Sequence, residues 1–213
     1  MDKFDNSVRS FNEYALEFAE KFKNIDPYVA SLDRFCNLIK TNNPKILELG
    51  CGPGNITRYV KNRFPESEYI AVDLAPRMIE IAGQQVKGVD FRVMDAREIS
   101  RFDITFDAIM CSFCLPFLSK KATYKLITDC ADGLNENGVI YISTMEGDES
   151  MAGYETTSFS GDSEIYFNYH SQEDLENSFR ENGFTIDEFK RQEYYESNGC
   201  SLIDMIIVGI RNM

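Results

Sequence analysis

The chain has 213 residues, 43% of them apolar, which suits one ordinary domain with a sizeable core and excludes global disorder. Its 35 acidic residues against 22 basic ones leave a net charge of −13. Such a surface repels phosphate backbones and anionic membranes, so neither nucleic acid nor membrane is expected as a partner.

The longest nearly apolar stretches, Ala108–Leu118 and Leu202–Ile210, are too short for a membrane-spanning helix of roughly 20 residues. The opening Met1-Asp2-Lys3-Phe4-Asp5 lacks the basic and apolar stretches of a secretory leader. A soluble, cytoplasmic protein is expected. Six cysteines (36, 51, 111, 114, 130 and 200) lie in apolar context and read as reduced thiols. Cys111 and Cys114 form a CxxC pair, but no second pair accompanies it and the single histidine, His170, is distant in sequence. No metal site is expected.

In chain order, Phe11, Ala15, Phe18 and Phe22 recur at helical spacing and predict one amphipathic helix ending before Pro27. A second helix is predicted from about Pro27 to Lys40, with Asn42-Asn43-Pro44 breaking the pattern. From Lys45 short apolar runs (46–49, 69–74, 89–94, 106–111, 139–144) alternate with helical segments (56–64, 76–86, 120–134). Continuous apolar runs fit parallel strands buried on both faces, and the alternation predicts a doubly wound α/β sheet. Ser171-Gln172-Glu173-Asp174 reads as a capping box, opening a helix that stops at Gly183. Residues 185–195 and 201–210 read as an antiparallel strand pair around Ser197-Asn198-Gly199, closing one sheet edge.

The first strand runs into Gly50-Cys51-Gly52-Pro53-Gly54-Asn55, three glycines in five residues before a helix. Glycine permits the sharp turn and lets a ligand approach the backbone, at a strand end where open α/β sheets bind ligands. A dinucleotide fingerprint needs its third glycine where Asn55 stands, and a Walker loop needs a Gly-Lys-Ser/Thr that does not follow. An adenosyl ligand without phosphate fits better. Asp73 at the second strand end can accept from both hydroxyls of a ribose. Leu74 and Met78 can cover an adenine ring, and Asp95 with Ala96 can meet its edge. With Glu48, these acids surround the crevice with negative charge suited to a sulfonium.

Glu-Leu-Gly-Cys-Gly-Pro-Gly (48–54), Ala-Val-Asp-Leu-Ala-Pro-Arg-Met (71–78), Val-Met-Asp-Ala (93–96) and Phe-Asp-Ala-Ile-Met-Cys-Ser (106–112), in this order, resemble the class I S-adenosylmethionine-dependent methyltransferases. The resemblance covers residues 43–146 in motif and the whole chain in layout. It implies a Rossmann-like, mostly parallel seven-stranded sheet with N-terminal cap helices (1–42), a cofactor core (43–146), a substrate lid (147–170) and a C-terminal helix and strand pair (171–213). It further implies that S-adenosyl-L-methionine is the cofactor and S-adenosyl-L-homocysteine the product. Gly50, Cys51 and Gly52 would line the methionyl part, Asp73 the ribose, Leu74 and Met78 the adenine face, and Asp95 and Ala96 its edge. Cys111 would sit beside the reactive sulfur, and Phe11, Tyr14 and Phe18 would cover the cofactor.

Methyl transfer from a sulfonium asks chiefly for alignment and exclusion of water, and needs a base only where the acceptor must lose a proton. Residues 111–117, Cys-Ser-Phe-Cys-Leu-Pro-Phe, do not match the signature of enzymes that methylate amide or nucleobase nitrogens. The 147–170 connection carries Asp148, Glu149, Glu155, Asp162 and Glu164 without Lys or Arg, and the aromatics Tyr154, Phe159, Tyr166, Phe167 and Tyr169. A small neutral or cationic methyl acceptor, an amine among the options, is expected beneath it; a solvated acidic loop is the plainer reading. His170 beside this lid is the candidate catalytic base, or simply the cover of the helix start at Ser171. A methyltransferase-like protein that binds the cofactor without chemistry is the alternative function.

Overall fold

The fold is described here from a computed structural model covering residues 3–157, 164–195 and 201–212. Strands β1 (Lys45–Leu49), β2 (Glu68–Asp73), β3 (Asp90–Val93), β4 (Phe106–Ser112) and β5 (Leu134–Met145) are parallel. With β8 (Phe184–Tyr195) and β9 (Ser201–Arg211) they form one seven-stranded sheet in the order β3-β2-β1-β4-β5-β9-β8. The β9 strand runs antiparallel to both β5 and β8, placing its first residues beside the carboxyl end of β5. The doubly wound sheet with an antiparallel pair at one edge is as the sequence predicts; the turn at 197–199 lies outside the described residues.

Successive side chains of β1 go to opposite faces. Leu47 and Leu49 join Ile109, Cys111, Ile127 and Phe179 on one side, while Ile46 joins Phe35, Tyr69, Tyr141 and Ile206 on the other. Helices α3 (Val29–Leu38), α4 (Asn55–Arg63), α5 (Pro76–Gln85), α6 (Lys120–Gly133) and α7 (Gln172–Glu181) complete the layers. The sheet's β3 end is an exposed edge: Val93 is 54% accessible, and the strand is shorter than the apolar run 89–94 predicts. At the capping box, the Ser171 hydroxyl accepts from the Asp174 N–H at 3.2 Å, starting α7 as expected.

Two elements differ from expectation. The single N-terminal helix is two, α1 (Lys3–Glu13) and α2 (Ala15–Lys21), bent at Tyr14 (φ −102°, ψ 29°). Helical hydrogen bonding runs on across the bend, from Tyr14 N to Ser10 O and Phe18 N to Tyr14 O. The bend lets α1 reach the lid while α2 sets Ala15 against Ala75, Met78 and Ile81 of the α5 region. The lid also contains secondary structure of its own, an antiparallel pair β6 (Gly153–Thr156) and β7 (Glu164–Phe167). Among the described residues no helix is long and apolar enough to cross a membrane, no acid, cysteine and histidine cluster could hold a metal, and Cys36, Cys51, Cys111, Cys114 and Cys130 are free thiols.

Candidate active site

A cavity of about 290 Å³ lies across the carboxyl ends of β1 to β4 and the amino end of β9. Its floor is the turn after β1. Gly50 and Gly54 have φ of +70° and +87°, a region that L side chains rarely adopt. A Cβ on Gly50 would stand 3.0 Å from Cys114 Cβ, and one on Gly54 would stand 3.1 Å from Ala82 Cβ. The first glycine thus keeps the turn close beneath the β4 loop, and the second seats α4 against α5.

Asp73 ties this turn to the next strand end. Its Oδ2 accepts from the Gly52 N–H at 2.9 Å and its Oδ1 from the Ala75 N–H at 2.8 Å. Burial pushes its carboxyl above the ordinary range, against the pull of these backbone donors. Glu48 beneath is 1% accessible and accepts from the Tyr69 hydroxyl at 2.8 Å. Burial raises it to about 7, so a buried carboxyl that titrates near neutrality lies directly under the turn. Gly50, Cys51, Gly52, Asp73, Leu74, Met78, Asp95 and Ala96 all line the cavity.

Asp95 is engaged by its neighbour: Arg97 Nη2 is 2.5 Å from Oδ2, and the Arg97 N–H donates to Oδ1 at 2.8 Å. Partial burial pushes the Asp95 carboxyl up, but the Arg97 hydrogen bonds and charge outweigh it and hold it below the usual value.

Cys111 sits elsewhere than the resemblance implies. It is fully buried in the core beneath the sheet end, and Ser112, Phe113 and Cys114 turn to the cavity instead. The Cys114 thiol and burial push the Cys111 thiol well up, keeping it protonated. Phe113 makes the turn with a positive φ of 52°, anchored by its N–H to the Ser143 carbonyl at 2.9 Å. A bulky residue in that region marks a site whose surroundings over-determine it.

A chain of rings roofs the cavity: Phe22 on Phe18 (4.6 Å between centroids), Phe18 on Phe11 (5.5 Å), Phe11 on Phe117 (4.9 Å) and Phe117 on Phe167 (5.5 Å). Phe11 and Phe18 line the cavity, whereas Tyr14 at the bend does not. Asn55, notable in sequence only for not being glycine, donates its side-chain N–H to the Phe22 carbonyl at 2.9 Å. It fastens the end of α2 over the turn.

The lid contributes Thr157 and Phe167 to the cavity, but none of its described acids. Asp148 and Glu149 border a second, polar cavity, and the Tyr169 hydroxyl donates to Glu155 at 2.7 Å. Phe159 and Asp162 lie outside the described residues. His170 also borders the second cavity rather than the first. It is 4% accessible, its Nε2 donates to the Leu115 carbonyl at 2.9 Å, and its backbone carbonyl accepts from Gly147. Burial lowers its pKa, so the ring is held neutral as a bridge between the β5 and β4 loops.

The far end of the cavity is formed by Tyr28, Phe113, Met145, Leu202 and Asp204. Sequence reasoning singled out neither Tyr28 nor Asp204. The only signal was an acid inside the apolar run 202–210.

This arrangement defines a class: an open α/β sheet whose first turn is glycine-rich, with acids at successive strand ends around a roofed cavity. Residues 46–138 match the family model of a methyltransferase domain. The chain is 30% identical over 105 residues to the demethylmenaquinone methyltransferase of Thermotoga maritima, covering 49% of this chain and 45% of that one. It is 29% identical over 140 residues to the malonyl-[acyl-carrier protein] O-methyltransferase of Bacillus cereus, covering 57% and 51%. The chain thus spans about half the length of the curated relatives it matches. In fold it resembles the magnesium protoporphyrin IX methyltransferase of Synechocystis with bound S-adenosylmethionine, with a TM-score of 0.72 at 13% identity over 100% of this chain and 98% of that one. Residues 46–138 are thus similar to a methyltransferase domain, and the sheet has the fold seen in S-adenosylmethionine-dependent methyltransferases.

Proposed function

We propose that the protein binds S-adenosylmethionine and transfers its methyl group to a small-molecule acceptor. One observation carries this reading: eight residues that the sequence marks for the cofactor, from Gly50 to Ala96, line a single cavity. The residues fit the molecule. A carboxylate offers about four lone pairs, and Asp73 spends two on backbone donors, leaving two for a pair of ribose hydroxyls. Leu74 and Met78 supply an apolar face, and Ala96 leaves room beside Asp95. At Gly52 a Cβ would meet only Phe18 Cε1, at 3.8 Å, so the backbone there stays open to the cavity.

S-adenosylmethionine supplies an electrophilic methyl on a good neutral leaving group. The chain's own work is to align and to dry. The rings of Phe11, Phe18, Phe22, Phe117 and Phe167 exclude water, and the Asp73 carboxylate favours a cation over a diphosphate-bridged ligand. Both relatives named above are methyltransferases by name, one of a quinone precursor and one of a carrier-bound acyl group, which supports an acceptor brought to the cavity mouth from solution or from a carrier.

The test is release of labelled methyl from S-adenosylmethionine into fractionated metabolite extracts. Incorporation into a low-molecular-weight fraction is expected. Saturable S-adenosylhomocysteine binding with no incorporation from any fraction would favour the binding-only alternative.

A further inference from the structure

Two acids on this side of the fold are matched by bases, Glu146 by Arg191 at 2.5 Å and Asp187 by Arg34 at 2.6 Å, while Glu188, outside the cavity lining, buries its Oε2 without a hydrogen-bond partner among the described residues. Asp204 is different. It is 4% accessible, it lines the far end of the cavity, and among the described residues no Lys or Arg pairs with it. The Tyr28 hydroxyl donates to its Oδ2 at 2.7 Å, across 176 residues of sequence. Burying a carboxylate is costly unless something compensates, and a single phenol compensates little.

Around this pair the wall is apolar and aromatic. Tyr28 meets Phe113 edge to face at 5.4 Å between centroids, and Met145 and Leu202 fill the sides. The register places Asp204 opposite Met145 of β5, and β9 lies three strands from β1. That is about 14 Å from the glycine turn at the usual spacing between strands. Asp204 therefore stands clear of the cofactor residues but within the same cavity. Lys21 is the only basic side chain lining it among the described residues, and its Nζ stands over the Phe22 ring at the roof.

We propose that Asp204, oriented by Tyr28, is the recognition group for the acceptor, and that the acceptor is a small molecule bearing a primary or secondary ammonium group. The missing counter-charge of Asp204 is then supplied by the ligand, and the faces of Tyr28 and Phe113 receive the remainder of its positive field. Burial raises the Asp204 carboxyl to about 6, which leaves it mostly ionised at neutral pH and ready to pair. The inference rests on the methyltransferase reading only for the word acceptor; the ammonium site itself does not depend on it.

Calorimetry on the full chain saturated with S-adenosylhomocysteine tests it, with phenethylammonium, 2-phenylethanol and 3-phenylpropionate as probes. Phenethylammonium is expected to bind at least about tenfold tighter than the other two, a difference that Asp204→Asn abolishes and Tyr28→Phe reduces. S-adenosylhomocysteine affinity is expected to stay unchanged in both variants. Equal binding of the three probes, or an amine preference that survives Asp204→Asn, overturns the proposal. Should Asp204→Asn fail to bind S-adenosylhomocysteine where the native chain does, its fold is damaged and Tyr28→Phe decides. Should the native chain bind no S-adenosylhomocysteine, the cofactor reading fails; the probes are then titrated alone, and an amine preference lost in Asp204→Asn still upholds the site.

Discussion

The two ends of the cavity are built in different ways. At the β1–β3 end, each group belongs to a strand end or the turn after it, and Asp73 reaches Gly52 and Ala75 through backbone hydrogen bonds. At the β9 end, the hydroxyl of Tyr28 and the carboxylate of Asp204 meet across almost the whole chain. The first end is a local device that any sheet of this order can carry. The second exists only where this particular N-terminal segment folds over this particular antiparallel strand. The difference teaches that one cavity can join a locally built end to an end assembled from distant segments, three strand spacings away, within one sheet.

The sharpest way to break that division is Asp73→Ala. It orphans two backbone donors and removes the acceptor offered to the ribose, and hydrogen bonds to a charged group are each worth roughly 1.5–3 kcal/mol. S-adenosylhomocysteine affinity is expected to fall at least about 100-fold by calorimetry. A fall of less than tenfold would mean that the turn, not the carboxylate, holds the nucleoside.

Glu48→Gln sharpens the comparison through pH. The folded carboxyl titrates at about 7 against 4.5 for the ordinary group, so between these values the folded state binds more protons than the unfolded one. Stability from this group is therefore fully present below about pH 4.5 and is lost as pH rises toward 7. The difference amounts to roughly 3 kcal/mol as an upper bound. Denaturant unfolding at pH 5 and pH 7.5 should show the variant gaining on the native chain at the higher pH. Parallel curves would show that Glu48 is not the buried acid responsible.

The smallest effect is expected at His170. Its ring bridges to the Leu115 carbonyl outside the main cavity, so His170→Gln should cost about 1 kcal/mol of stability and leave S-adenosylhomocysteine affinity within twofold. Turnover should keep its pH profile. A profile that loses a limb near neutrality would give the imidazole a part in proton transfer.

The fold was largely legible because parallel strands buried on both faces write themselves as continuous apolar runs, as in Ile46–Leu49 and Phe106–Cys111. The β3 strand was legible only in outline, since an edge strand with an exposed Val93 is not obliged to be apolar. The bend at Tyr14 was not legible, because Phe11, Ala15, Phe18 and Phe22 keep helical spacing on either side of it and only the targets of α1 and α2 differ. Cys111 was placed at the strand end correctly but on the wrong side of its pleat: the one-residue alternation turns Ser112 outward and leaves Cys111 in the core.

By itself the order of residues determined the sheet, the glycine turn and the strand-end carboxylates, because each depends on neighbours a few positions away and on a period of two or 3.6. Only the tertiary structure decided that Asp204 would have no Lys or Arg partner among the described residues and that Tyr28 would reach it. It also decided that five phenylalanines from three parts of the chain would close one roof. Those are meetings of distant segments, fixed by how layers pack and by the hand of the crossovers, and no local pattern carries them.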